Sequence, residues 1–184
     1  MIHKVMWEHL EEFGSELCQI SEHHNGLLAE GTIIRVIQNE PCQVNYSVHM
    51  DHSWHTKKLE IGVNHERKLE LSSDGNGNWF EDEEEETSLK GAIDIDISAT
   101  PFSNSLPINR FEWNLNQKRD MEMVYISVPE LTFFKVSQTY TYLRREADMR
   151  VFLYECRDFK SLIYVDENGF VTNYPDLFKV CCRF

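Results

Sequence analysis

The chain has 184 residues, with 18 Lys and Arg against 31 Asp and Glu, for a formal net charge of −13. Hydrophobic residues make up 41% and aromatics 12%, which excludes a disordered chain and predicts a single domain over 1–184 with a sizeable core. This acidity disfavours nucleic acid and anionic lipid surfaces as partners, and no apolar run is long enough for a membrane-spanning helix.

In chain order, the first segment carries His3, Glu8, His9, Glu11 and Glu12. It has no apolar stretch of the kind a secretory leader needs, so a cytoplasmic location is expected. A helix is predicted over 5–13, cut short by Gly14. Strands are predicted at 27–37 and 42–51. In the second of these Cys42, Val44, Tyr46, Val48 and Met50 alternate with Gln43, Asn45, Ser47, His49 and Asp51. Leu59, Ile61 and Val63 repeat the pattern, as do Leu69 and Leu71. In 91–97, Ile93, Ile95 and Ile97 oppose Asp94 and Asp96. Further strands are predicted at 121–128, 132–143, 149–156, 161–166 and 170–174. Residues 152–154 and 162–165 are apolar on both faces, which predicts strands covered on both sides. A short helical turn is predicted at 102–108, limited by Pro107, with 144–148 as the other place for a helix to begin. Turn signals stand at Asn25-Gly26, 39–41, 74–78 and Asn168-Gly169. The total of about 11 to 14 short strands, without a βαβ rhythm, predicts an all-β sheet that curls on itself. The acidic run at 81–86 predicts a solvated loop.

Few constellations point to chemistry. The five cysteines, Cys18, Cys42, Cys156, Cys181 and Cys182, include no C-x-x-C pair and read as free thiols. His49, Asp51 and His55 share a strand face, with His52 opposite, but the outer two are ~20 Å apart in an extended strand. They read as solvated side chains, and no metal or cofactor is expected. Residues 74–78 resemble the start of a calcium loop, but Trp79 stands where that loop needs glycine, so a β-turn is expected. No nucleophile motif is present, so no catalytic residue is assigned. Asp94 and Asp96 form a carboxylate pair that could do acid–base work if buried, which keeps an enzyme reading open. Gln138 interrupts the apolar face Phe134, Val136, Tyr140 and Tyr142. Its amide either bonds to backbone or orients a ligand inside a cavity. Arg110, close to Trp113, either stacks on an aromatic ring, pairs with Asp94 or Asp96, or holds an anionic head group.

The segment from Asp94 to Arg110, D-I-D-I-S-A-T-P-F-S-N-S-L-P-I-N-R, resembles the signature of the putative glycolipid-binding family, whose usual form is an acidic strand followed by T-P-F-T-N-T-L-P-I-R-R. Ser103 and Ser105 stand where threonine is usual and keep the hydroxyl for local bonds. Asn109 stands where arginine is usual and removes one positive charge. Four further blocks resemble the family in order: Asp51 to Thr56 (D-x-x-W-x-T), Asp74 to Trp79 (D-G-x-G-x-W), Gln138 to Thr141 (Q-x-Y-T), and Asp166 to Val171 with Tyr174-Pro175. The resemblance implies a spiral β-roll, a long antiparallel sheet curled around one helix, as a homodimer. Its shape is similar to periplasmic lipoprotein carriers that hold acyl chains. The expected function is therefore non-catalytic binding of a lipid or glycolipid inside the curled sheet. Trp54, Trp79, Trp113 and Tyr140 are the candidate wall residues, and Arg110 and Gln138 the candidates for fixing the head group. The alternatives are an interaction module with a filled core, or an enzyme using Asp94 and Asp96.

Overall fold

The computed structural model describes residues 2–183. Fifteen strands form one open sheet: β1 (Ile2–His9), β2 (Gly14–His23), β3 (Gly26–Ile37), β4 (Glu40–Met50), β5 (Thr56–Val63), β6 (Arg67–Ser73), β7 (Trp79–Glu81), β8 (Glu84–Glu85), β9 (Asp94–Ile97), β10 (Lys118–Ile126), β11 (Phe133–Glu146), β12 (Met149–Cys156), β13 (Phe159–Val165), β14 (Val171–Tyr174) and β15 (Phe178–Arg183). The spatial order is β8 through β1, then β15 down to β9. Every pair is antiparallel except β9 with β10, which run parallel.

The predicted helix over 5–13 is instead strand β1. Val5, Trp7 and His9 alternate inward, the period of a strand, and the segment pairs with β2 on one side and β15 on the other. Strand β2 escaped prediction because Glu16 and Ser21 sit among its buried residues and break the apolar pattern. The acidic run forms a tight hairpin of β7 and β8, with Asp82 and Glu83 both at positive φ. Residues 144–148 form no helix. They end β11 and turn directly into β12.

The predicted turn at 102–108 is the helical element. A 3-10 segment, Pro101–Asn104, runs into α1, Ser105–Arg110, and residues 101–108 are buried throughout. Thr100 caps it, its hydroxyl accepting from Phe102 N–H at 3.0 Å. Pro107 lies in the first turn of α1, where a missing N–H costs least. Ser103 Oγ accepts from Ile97 N–H at 2.9 Å and ties the helix to β9. The Ser105 hydroxyl, by contrast, is buried without a partner among the described residues, so only one of the two serines makes the expected local bond.

The core divides into two clusters on opposite faces of β9–β10. Ile95, Ile97, Val124 and Ile126 pack with Trp7, Leu59, Leu71 and Trp79 from the β1–β7 half. Met121 and Met123 pack with Tyr140, Phe152, Ile163 and Tyr174 from the β10–β15 half. The curled sheet thus tucks its own β9–β10 end inside, so these strands are the ones buried on both faces. The both-sided burial predicted for 152–154 and 162–165 does not occur: Leu153, Leu162 and Tyr164 are only half-buried on the outer face.

Three turns share one construction. In each, an aspartate carboxylate oxygen accepts the N–H groups two and four residues on, at 2.7–3.2 Å: Asp51 from Ser53 and His55, Asp74 from Asn76 and Asn78, and Asp166 from Asn168 and Phe170. The aspartate's own N–H bonds to the carbonyl four residues on. The residue three on has positive φ in every case: Trp54, Gly77 and Gly169. Glycine accepts this conformation freely and tryptophan does not. Asp166→Ala should cost about 2–3 kcal/mol, because the buried Phe170 N–H loses a charged acceptor, whereas Asp166→Asn should recover about half. Urea unfolding checks both.

Candidate functional site

A cavity of about 350 Å3 opens between β9, the 3-10 segment and β10–β15. Its walls carry Tyr125, Phe134, Tyr154, Phe159, Tyr174 and Phe178. These aromatics arrive from neighbouring strands because β10 to β15 are consecutive antiparallel neighbours and the residues concerned turn to the same, inner side. The ring centroids of Tyr154, Phe159 and Tyr174 lie 6.1–6.2 Å from one another and form one wall.

Polar groups are few and specific. Asp96, Ser98, Thr100 and Asn104 line the helical side. Asp96 Oδ2 accepts from Gln138 Nε2 at 2.5 Å. Burial pushes the Asp96 carboxyl up to about 6, although the Gln138 bond pulls the other way. The hydroxyls of Tyr125, Tyr140, Tyr154 and Tyr174 are held above their ordinary range, first by burial and then by the Asp96 charge. The Cys156 thiol on the wall is also raised by burial. Arg157 stands exposed at the mouth, its guanidinium 5.1 Å from the Phe134 ring centroid.

The structure distributes the six sequence-derived candidates unevenly. Gln138 and Tyr140 stand together directly behind the cavity. Gln138 holds Asp96, and the Tyr140 hydroxyl donates to Asn104 Oδ1 at 2.9 Å. Arg110 is bound to Asp94 in a buried ion pair and packs against Phe111. Trp113 stacks edge-on against Phe152 and donates its indole N–H to the Ile108 carbonyl at 3.1 Å. Trp79 is fully buried and donates to the Ala92 carbonyl at 2.7 Å. Trp54 lies elsewhere, on a second cavity of about 340 Å3 between the Asp51 and Asp166 turns, with His52, Asn109, Glu167 and Phe170 among its lining.

Of the acid pair, Asp94 is spent on Arg110 while Asp96 faces the cavity, so the two do not act on one substrate atom. His55 Nδ1 lies 3.1 Å from Asp51 Oδ2 and serves the turn. His49 lies 3.9 Å from Glu60 on the outer face. Among the described residues no group of three His, Cys, Asp or Glu gathers to hold a metal, and no helix is long and apolar enough to cross a membrane.

The aromatic wall itself was missed in the sequence. Tyr154 and Phe159 flank one hairpin turn, and Tyr174 and Phe178 flank another, so each pair meets across its turn. Aromatics placed close on either side of the break between two short strands are the signal that could have found it.

A crystal structure of a DUF1089 family protein from Pseudomonas aeruginosa is similar over 90% of this chain and 91% of its own, at 31% identity and a TM-score of 0.78. A search of curated proteins found no match. Residues 4–180 match the family described as "Putative glycolipid-binding", and the chain belongs to that family.

Proposed function

We propose that the protein binds, without chemical conversion, an amphipathic ligand of the lipid or glycolipid class. The polar end enters the aromatic-walled cavity, and the apolar part lies along its rings. The observation that carries this reading is the cavity itself: an open, mostly aromatic space with a handful of convergent polar groups, the composition of a small-molecule site. Burial of the ligand's apolar surface supplies affinity at about 25 cal/mol per Å2 before ordering costs. Gln138 orients Asp96, and Tyr140 orients Asn104. The homodimer that the family resemblance implies belongs to this reading, as does a cytoplasmic location.

One observation favours a second reading. A carboxyl raised to about 6 in a cleft suits a general acid or base. Among the described residues the acid has no second carboxyl beside it in the cavity, since Asp94 is held by Arg110, so the binding reading is preferred. Native mass spectrometry of protein purified from its own host, with solvent extraction of bound material, tests it. A stoichiometric lipid or glycolipid adduct is expected. A clean mass before and after exposure to a lipid extract would sink the reading, and the same spectrum reports whether the protein is a dimer.

A further inference from the structure

We infer that the ligand of the aromatic cavity carries a positively charged amine or quaternary ammonium group, seated between Asp96 and the ring wall of Tyr154, Phe159 and Tyr174. The inference rests on the reading of this cavity as a ligand site and specifies the chemistry of the polar end.

The first support is an uncompensated carboxylate. Asp96 takes one amide proton from Gln138 on Oδ2, and Oδ1 has no partner and is not sealed off among the described residues. The other buried acids are accommodated differently: Asp94 has Arg110, Glu16 takes two hydroxyl donors, and Asp166 takes two backbone N–H groups. Arg157, the one cation lining the cavity, is exposed at its mouth over Phe134 and forms no ion pair with Asp96 among the described residues. A desolvated carboxylate without a counter-ion is costly, and a ligand cation removes that cost.

The second support is the wall. Three aromatic rings with centroids within 6.2 Å of one another, tilted or edge-on to each other, border the cavity, and a ring face turned to it attracts an ammonium group more than a hydroxyl. The third is the field of a chain at −13, which draws cations toward its clefts and repels anions. A neutral sugar would leave Asp96 unpaired, and an anionic head group would face it directly.

The test compares octyltrimethylammonium with octyl glucoside at 150 mM salt. Binding is followed by the NMR shifts of the cavity tyrosines, so that adsorption elsewhere on the acidic surface is not counted. The ammonium probe should bind about tenfold more tightly, and Asp96→Asn should reduce that preference to within twofold. Equal or tighter glucoside binding in the wild type would overturn the cation inference and leave the ligand-site reading standing. Failure of both probes to shift the tyrosines would overturn both. Should D96N not fold, the wild type is compared on the ammonium probe and its uncharged isostere with carbon in place of nitrogen. A tenfold preference supports the inference and equal binding refutes it.

Discussion

Replacing Arg110 by alanine should destabilise the protein by about 3–5 kcal/mol, the cost of stripping one partner from a buried ion pair. Tm should fall by about 10 °C, given ~2–4 °C per kcal/mol in a chain of this size. The Arg110 side chain is 6% exposed and Asp94 is 0% exposed, so water cannot replace the lost partner. The two halves of the pair fail differently. Burial already raises Asp94 from 3.8 to about 6 against the pull of Arg110, and removing the arginine raises it further. For a carboxyl raised in the folded state, stability is intact below the unfolded value and is lost as pH rises through the folded one. R110A should therefore come closer to wild type at pH 5 than at pH 7.5, because Asp94 escapes by taking a proton. Asp94→Asn should show no such recovery, since the stranded arginine cannot lose its charge. Urea unfolding at the two pH values separates these cases. An R110A curve that overlays wild type at both would mean the pair contributes nothing to the fold.

Glu16→Gln should stabilise the protein at pH 8 and leave it unchanged near pH 4.5. Glu16 is fully buried on β2. Its Oε1 accepts from the Tyr46 hydroxyl at 2.5 Å and the Thr100 hydroxyl at 2.7 Å, and Oε2 has no partner among the described residues. Burial pushes the acid from 4.5 up to about 8, although both hydroxyl bonds favour the ionised form. The folded state keeps a proton that the unfolded chain releases, so this stabilisation is complete below 4.5 and is lost as pH rises through 8. The difference at alkaline pH is up to about 5 kcal/mol. Glutamine keeps the volume and the acceptor and removes the titration. Asp94 and Asp96 act in the same direction but finish near pH 6. His9, lowered by burial to about 4, acts in the opposite direction, losing stability as pH falls below 6.5. The wild-type-minus-variant difference isolates Glu16. Parallel stability curves from pH 5 to 8.5 would show that its carboxyl is not neutral in the folded protein.

Strands whose faces obey simple alternation were legible in the sequence. Met149–Cys156 matches its predicted bounds, and β3, β4 and β11 match within a few residues. The signature segment also placed the one short helix, because Pro101, Pro107 and the Thr100 cap punctuate it locally. What escaped were strands whose inward face holds polar or ionisable groups. Glu16 and Ser21 hid β2, and His9 among glutamates made β1 read as helix. Long-range partners rescue these residues: Glu16 is met by Thr100, 84 residues away, and a window of ten residues does not contain that information. The site shows the same limit. Gln138 stood out because an amide interrupts an apolar stripe, and it does hold Asp96. Arg110 stood out equally, but its chemistry is consumed by Asp94. Tyr154, Phe159 and Tyr174 looked like ordinary core until the curl of the sheet brought three hairpin strands to one wall.

The order of strands carries a kinetic consequence. From β2 to β8, and again from β10 to β15, each strand neighbours the next in sequence, so each half can zip from turn to turn with little loop-closure entropy. The seam between the halves joins β1 to β15, where Trp7 faces Val180. That pairing spans nearly the whole chain and gains nothing until both arms are ordered. It concentrates the fold's contact order in one event, and in a topology of this kind such an event governs the rate. Speed of folding should therefore depend less on the many local hairpins than on how readily two preformed arms find a single strand edge.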